Sequence, residues 1–160
     1  MNDNKSSEYS IKLEELYPII AEKLESGGSV TFKPHGISML PLIRQGADSV
    51  TIEKLKKKAA VGDVVFYRRT NGQFVLHRII GVDKAGYVLC GDNQWAKERG
   101  ITENQIIGVM TALLRDDKTV GMDNPEYIKY VKTLGRRRLY LRTKFFAGKV
   151  KGKLKRMFQA

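Results

Sequence analysis

A single cysteine, Cys90, excludes an internal disulfide, so nothing covalent staples this 160-residue chain and packing alone must hold it. One lone thiol also fits a reducing compartment. Cys90 follows Leu89 in an apolar run and reads as a small buried hydrophobe, because no open, cationic setting that would activate it is visible. Long hydrophobic runs are missing too. A membrane-crossing helix needs about 20 mostly apolar residues, and the longest candidate, Ile106 to Leu114, falls far short. Met1 to Ser10 are polar, with no apolar stretch of signal-peptide length. The expected location is therefore cytoplasmic or peripheral at a membrane. Repeats and low-complexity segments are absent, and a composition of 42% hydrophobic and 29% charged residues excludes general disorder.

Acidic residues are missing from one region in particular. The net charge is +12, from 29 Lys+Arg against 17 Asp+Glu. From Lys129 to Ala160 there are 12 basic residues and no acid, which leaves residues 1–128 neutral overall. The basicity belongs to the tail.

What is present divides into three parts: an amphipathic helix within 1–28, a β domain over 29–118 and a basic helical tail over 119–160. Leu13, Leu16, Tyr17, Ile20 and Leu24 repeat at helical spacing. Pro18 predicts a kink, or a start near Tyr17, and Ser26-Gly27-Gly28 predicts the stop. Short β-type runs follow at Val30–Phe32, Ser49–Ile52, Val64–Tyr67, Phe74–Ile80, Tyr87–Cys90 and Ile106–Met110. Asn71-Gly72 predicts a hairpin, since both residues tolerate φ > 0. Such a pattern predicts a mainly β fold, a coiled antiparallel sheet or partly closed β-barrel. Asn124-Pro125 opens a final helix as cap and first-turn proline. Tyr127, Val131, Leu134, Phe146, Val150, Leu154 and then Met157 or Phe158 keep helical spacing. Gly135, Gly148 and Gly152 each cost about 1 kcal/mol against alanine, which predicts a broken or conditional helix.

Only two histidines, His35 and His77, can act as bases near neutral pH without strong tuning. A serine hydroxyl needs such a base to become nucleophilic. Ser38 stands in an unusual context, Gly36-Ile37-Ser38-Met39-Leu40-Pro41. Gly36 permits a tight turn and Pro41 fixes the way out of it. The turn would offer both the Ser38 hydroxyl and its backbone N–H, an oxyanion-hole donor, to a substrate carbonyl.

That segment resembles the G-x-S-M-x-P nucleophile box of signal peptidase I and its relatives. Gly62-Asp63-Val64-Val65 is similar to the family's G-D-[IV]-V strand, Leu76-His77-Arg78-Ile79-Ile80-Gly81 to its base-bearing strand, Gly91-Asp92-Asn93 to its G-D-N box and Ile107-Gly108-Val109 to its closing I-G-x-V strand. The five boxes stand in the family's order over roughly residues 29–115. His77-Arg78 matches the histidine branch (endoplasmic-reticulum, archaeal and sporulation-type members) as opposed to the lysine branch. The resemblance implies the signal-peptidase catalytic fold, with Ser38 as nucleophile, His77 as general base and Asp92 as third member of a triad. It implies that Gly36, Met39 and Pro41 shape the oxyanion and substrate side, and that no metal or cofactor takes part. It does not implicate His35.

Several features depart from the family. An amphipathic helix stands where members carry an N-terminal membrane anchor. Gln94-Trp95-Ala96-Lys97-Glu98 replaces the aspartates that often follow the G-D-N box, leaving Glu98 and Glu103 as the nearest carboxylates. Gly36 occupies a place where some lysine-type members supply an oxyanion hydroxyl, so backbone N–H groups would have that task.

The resemblance implies a serine endopeptidase that cleaves a leader or signal-like peptide, with small residues before the scissile bond. Residues 129–160, basic and interleaved with Leu139, Tyr140, Leu141, Phe145 and Phe146, predict an anionic membrane surface as a further partner. Nucleic acid is not expected, because no DNA- or RNA-reading motif accompanies the charge. Two alternatives remain: a catalytically idle peptide- or membrane-binding module on the same fold, or a relative of the self-cleaving SOS-type proteins.

Overall fold

The computed structural model describes residues 13–157, with side chains described through residue 148. Helix α1 (Leu13–Glu25) is followed by eight strands: β1 (Ser29–Phe32), β2 (Ser49–Glu53), β3 (Val64–Arg68), β4 (Phe74–Asp83), β5 (Gly86–Cys90), β6 (Glu98–Ile101), β7 (Ile106–Arg115) and β8 (Lys118–Gly121). Helix α2 (Pro125–Met157) closes the described chain. The tail positions Val150, Leu154 and Met157 lie outside the described side chains, and Phe158 and residues 1–12 outside the described residues altogether.

Helix α1 runs through Pro18. The missing proline N–H removes one backbone hydrogen bond, but Leu13, Ile20 and Leu24 pack against the main core and hold the helix on the sheet. Its end is a Schellman cap: Gly28 N–H donates to the Lys23 carbonyl at 2.9 Å and Gly27 N–H to Leu24 at 3.0 Å, with Gly27 at φ +80°.

All strand pairs are antiparallel, in the order β1-β2-β7-β3-β4-β5-β6, with β8 on the remaining stretch of β7. The sheet is open, with β1 and β6 ending the path, so the mainly β fold and antiparallel sheet expected from the many short strands are present and the sheet does not close into a barrel. Strand β6 (Glu98-Arg99-Gly100-Ile101) has a single β-branched residue, and β8 (Lys118-Thr119-Val120-Gly121) is only four residues long, so neither is read from propensity. Strand β8 also straddles the boundary expected at 118. The predicted hairpin joins β3 to β4, but only Gly72 takes positive φ. Asn71 instead accepts a hydrogen bond from Gln73 N–H through its side chain. That is a longer turn with a single left-handed residue.

Both faces of β3 are buried. Val64 and Phe66 join Leu24, Val50, Ile52, Leu76, Met110 and Leu113 on one side, while Val65 and Tyr67 join Ile79, Tyr87, Leu89 and Ile101 on the other. Gly108 on β7 makes the first cluster possible. A Cβ there would stand 2.9 Å from the Glu53 carbonyl and 3.4 Å from Leu24 Cδ1, so a side chain would press on β2 and crowd the Leu24 contact of α1.

Helix α2 starts as predicted, with Asn124 Oδ1 accepting the Glu126 N–H at 2.8 Å. It differs in being continuous through Gly135, Gly148 and Gly152. Its first turns are anchored by Tyr127, Tyr130 and Val131 in the main core, and the helix formers around each glycine offset the glycine cost. Truncating Leu24, only 2% exposed, should remove the contact that fastens α1. Leu24→Ala is expected to lower unfolding stability by about 3 kcal/mol with an unchanged urea m-value.

Candidate active site

Ser38 lies in the turn after β1, with Gly36 at φ +94° two residues before it and a cis peptide at Leu40–Pro41. The left-handed φ at Gly36 explains the glycine. The segment after β5 grips this loop from one side. Asn93 N–H donates to the Ser38 carbonyl at 2.8 Å, and Asn93 Nδ2 to the Ile37 carbonyl at 3.2 Å. Gly91 packs so closely that a Cβ there would stand 2.6 Å from Ser38 O and 3.1 Å from Ser38 Cβ. From the other side Arg115 donates to the Leu42 carbonyl at 2.6 Å and to Asp48 at 2.7 Å, while Arg44 donates to Asp48 from both its N–H and its guanidinium at 2.8 Å. Burial alone would raise the Asp48 pKa. The bonds from Arg115 and Arg44 outweigh it and hold the carboxyl well below the usual carboxylate range.

Strand β4 carries His77 and Arg78 next to each other, hence on opposite faces. Arg78, 2% exposed, forms a two-pronged pair with the fully buried Asp92: Nε to Oδ1 at 2.9 Å and Nη2 to Oδ2 at 2.7 Å. Its Nη1 donates to the Gly62 carbonyl at 2.7 Å and to Tyr127 Oη at 2.8 Å. Helix α2 completes the cage, with Tyr130 donating to Asp92 Oδ2 at 3.1 Å and Arg137 to the Asp92 carbonyl at 3.2 Å and Asn93 Oδ1 at 2.9 Å. The first turns of the basic tail are therefore part of the site's foundation, with Tyr127 and Leu134 buried.

The His77 ring, 4% exposed, points to the other face. Its Nδ1 lies 3.4 Å from Tyr67 Oη, and Tyr67 donates to Glu98 Oε2 at 2.9 Å. Arg69 Nε reaches both Glu98 oxygens at 3.0 Å. Burial lowers the His77 pKa to about 4; the charges of Glu98 and Asp92 pull it back up, and that of Arg69 pushes it further down. This is stronger tuning than the expectation of an imidazole near its ordinary value. Glu98 stays ionised, because hydrogen bonds from Arg69 and Tyr67 outweigh the burial that would raise it.

Ser38 and His77 both line one groove of about 850 Å³ between α1 and the strands β1 and β4, with largely apolar walls that include Leu16, Ile20, Phe32 and Phe74. Gly36 and Met39 also line it, although Met39 is mostly sunk in the core. His35 lines it as an exposed residue. Pro41, expected on the substrate side, is not part of the lining. Among the described residues no hydrogen bond joins Ser38 Oγ to His77, and none uses the Ser38 N–H. Contacts of this kind commonly tighten only with substrate in place.

Asp92 is the main correction. Among the described residues it makes no hydrogen bond to His77, because Arg78 and Tyr130 occupy its oxygens from the opposite face of β4. The carboxylate that does approach His77 is Glu98, through Tyr67. Spacing in the sequence marks Glu98 as a nearby carboxylate, but only the pairing of Leu89 with Glu98, which adds β6 to β5, brings it under the β3–β4 pair. Cys90 is buried as expected, and burial raises its thiol pKa. No group of His, Cys, Asp and Glu among the described residues is placed to hold a metal ion.

Removing one partner from a buried pair strands the other charge. Asp92→Ala is expected to cost about 3–5 kcal/mol in urea titrations, and a double replacement, Arg78→Met with Asp92→Leu, less than Asp92→Ala alone. Searches against protein-family models and against curated proteins give no match to this chain.

Proposed function

We propose that the protein is a serine endopeptidase of the signal-peptidase type. The observation that carries this reading is that Ser38 and His77 line one apolar groove, with the strand of one and the loop of the other held through the Arg78–Asp92 pair and the neighbouring Asn93. Ser38 Oγ attacks the substrate carbonyl while its proton passes to His77 Nε2. The resulting oxyanion is met by the Ser38 N–H, which has no internal partner among the described residues. His77 then returns the proton to the departing amide nitrogen as the C–N bond breaks. A water, deprotonated by the same nitrogen, releases the acyl group from Ser38. Apolar walls favour an extended, largely apolar segment such as a leader or signal-like peptide.

The partner that delivers such a segment is, in this reading, an anionic membrane surface. Trp95, next to the groove residue Gln94, packs at a tilt against Phe145 and Phe146 of α2, with ring centroids 4.9 Å and 5.6 Å apart. Phe146 remains 46% and Leu139 62% exposed. Aromatic groups flanked by 12 basic residues with no acid suit the headgroup region, each basic side chain near the surface contributing about 1 kcal/mol. No helix among the described residues is long and apolar enough to cross the bilayer.

Both parts are open to test. Ser38→Ala and His77→Ala should each lower cleavage of leader-type peptides by at least about 10³-fold. Because His77 must be neutral to accept the proton and burial favours the neutral form, activity should hold from neutral pH downward and fall only as pH approaches about 4. Unchanged cleavage by both variants, or an acid limb at the ordinary histidine value, would count against the assignment. The full chain should sediment with vesicles containing phosphatidylserine and not with pure phosphatidylcholine. Binding should weaken in high salt and in Phe146→Ser.

A further inference from the structure

We propose that Tyr67 and Glu98 form the orienting arm of the site, holding His77 in the Nδ1–H tautomer and stabilising its protonated form, a task the linear sequence assigns to Asp92. The proposal rests on the peptidase reading for its catalytic consequence, but the tautomer itself does not depend on that reading.

The geometry fixes the direction of each bond. Glu98 is held by Arg69 Nε on both oxygens and can only accept. Tyr67 therefore directs its single proton to Glu98 Oε2, at 2.9 Å. The Tyr67 oxygen then faces His77 Nδ1, 3.4 Å away, with lone pairs alone. A nitrogen facing a lone pair must carry the hydrogen, which leaves Nε2 as the free acceptor. The 3.4 Å separation is long for a neutral pair and shortens when the ring becomes a cation.

Tyr67 is well suited to be a spacer that does not itself ionise. It is fully buried, and burial together with the Glu98 charge pushes its pKa upward. Charged groups face His77 from every neighbouring element: Glu98 on β6 and Asp92 after β5 favour the imidazolium, and Arg69 after β3 opposes it. A base whose burial disfavours the cation needs a compensating negative charge at the moment of proton transfer. Glu98 supplies it through one polarisable hydroxyl. Tyr67 and Glu98 are thus positioning residues, acting through His77 without touching substrate.

The test uses the full chain with ¹⁵N-labelled histidine, comparing the wild type with Tyr67→Phe and Glu98→Gln. Nitrogen shifts should report a protonated Nδ1 in the wild type. In Glu98→Gln the His77 titration should move to lower pH, because the Arg69 charge is then unopposed, and kcat should fall roughly tenfold with KM nearly unchanged. Tyr67→Phe should lose the fixed tautomer; should that variant fail to fold, Glu98, a quarter exposed, still carries the test. An Nε2-protonated ring in the wild type, or an unchanged His77 titration in Glu98→Gln, would overturn the proposal. Failure of the wild type to cleave any peptide, with the tautomer as described, would sink the peptidase reading and leave the arm standing.

Discussion

The guanidinium of Arg78 and the carboxylate of Asp92 meet where β4, the segment after β5 and α2 converge, both shut away from water. Desolvating two charges is costly, and only good geometry with further hydrogen bonds offsets it. Here the two prongs at 2.7 and 2.9 Å are joined by Gly62, Tyr127 and Tyr130, so each side chain has several partners. The pair has a consequence beyond its own energy. One end is the neighbour of His77 in the chain, and the other stands between Gly91 and Asn93, which hold the Ser38 loop. Arg78–Asp92 therefore ties the strand that carries His77 to the segment that holds the Ser38 loop.

Four of the five sequence boxes gather at this point. Gly62, at φ +106°, turns its carbonyl toward Arg78; His77-Arg78 supplies the imidazole and the cation; Gly91-Asp92-Asn93 supplies the anion and the grip; and Ser38 is what is gripped. The fifth works at a distance, since Gly108 lets α1 settle on the sheet and form one wall of the groove. The start of α2 seals the ensemble from behind, so the basic segment is structural up to Arg138, while Leu139, Tyr140, Phe145 and Phe146 beyond it are exposed.

Ser38 stands out through its glycine-flanked turn, and His77 as one of two histidines, on a strand that resembles the family's base-bearing box; the structure puts both on the lining of one groove. The Asn124 cap and the stop at Gly27 were legible from local pattern. What depended on pairing across the sheet was not. Asp92 was expected as the triad acid because Gly91-Asp92-Asn93 resembles the family's G-D-N box, yet alternation along β4 puts His77 and Arg78 on opposite faces, and Asp92 hydrogen-bonds only the second. Glu98 was visible as a carboxylate but not as a neighbour, since β6 has weak strand propensity and Tyr67 reads as an ordinary core aromatic. Asp48 gave no signal at all: an acid between a turn and a strand acquires its meaning only when Arg44 and Arg115 fold around it. The seating of the start of α2 likewise follows from tertiary contacts, with Tyr127, Tyr130 and Val131 packed into the main core.

The account stands on Ser38 being a nucleophile that His77 activates. The most direct measurement is covalent labelling of the intact protein with a peptidyl phosphonate, read by intact mass and peptide mapping. The account predicts a single adduct on Ser38 that forms in the wild type and is lost in His77→Ala. No adduct, or one on another residue, would contradict it and leave a fold that binds through its groove without chemistry.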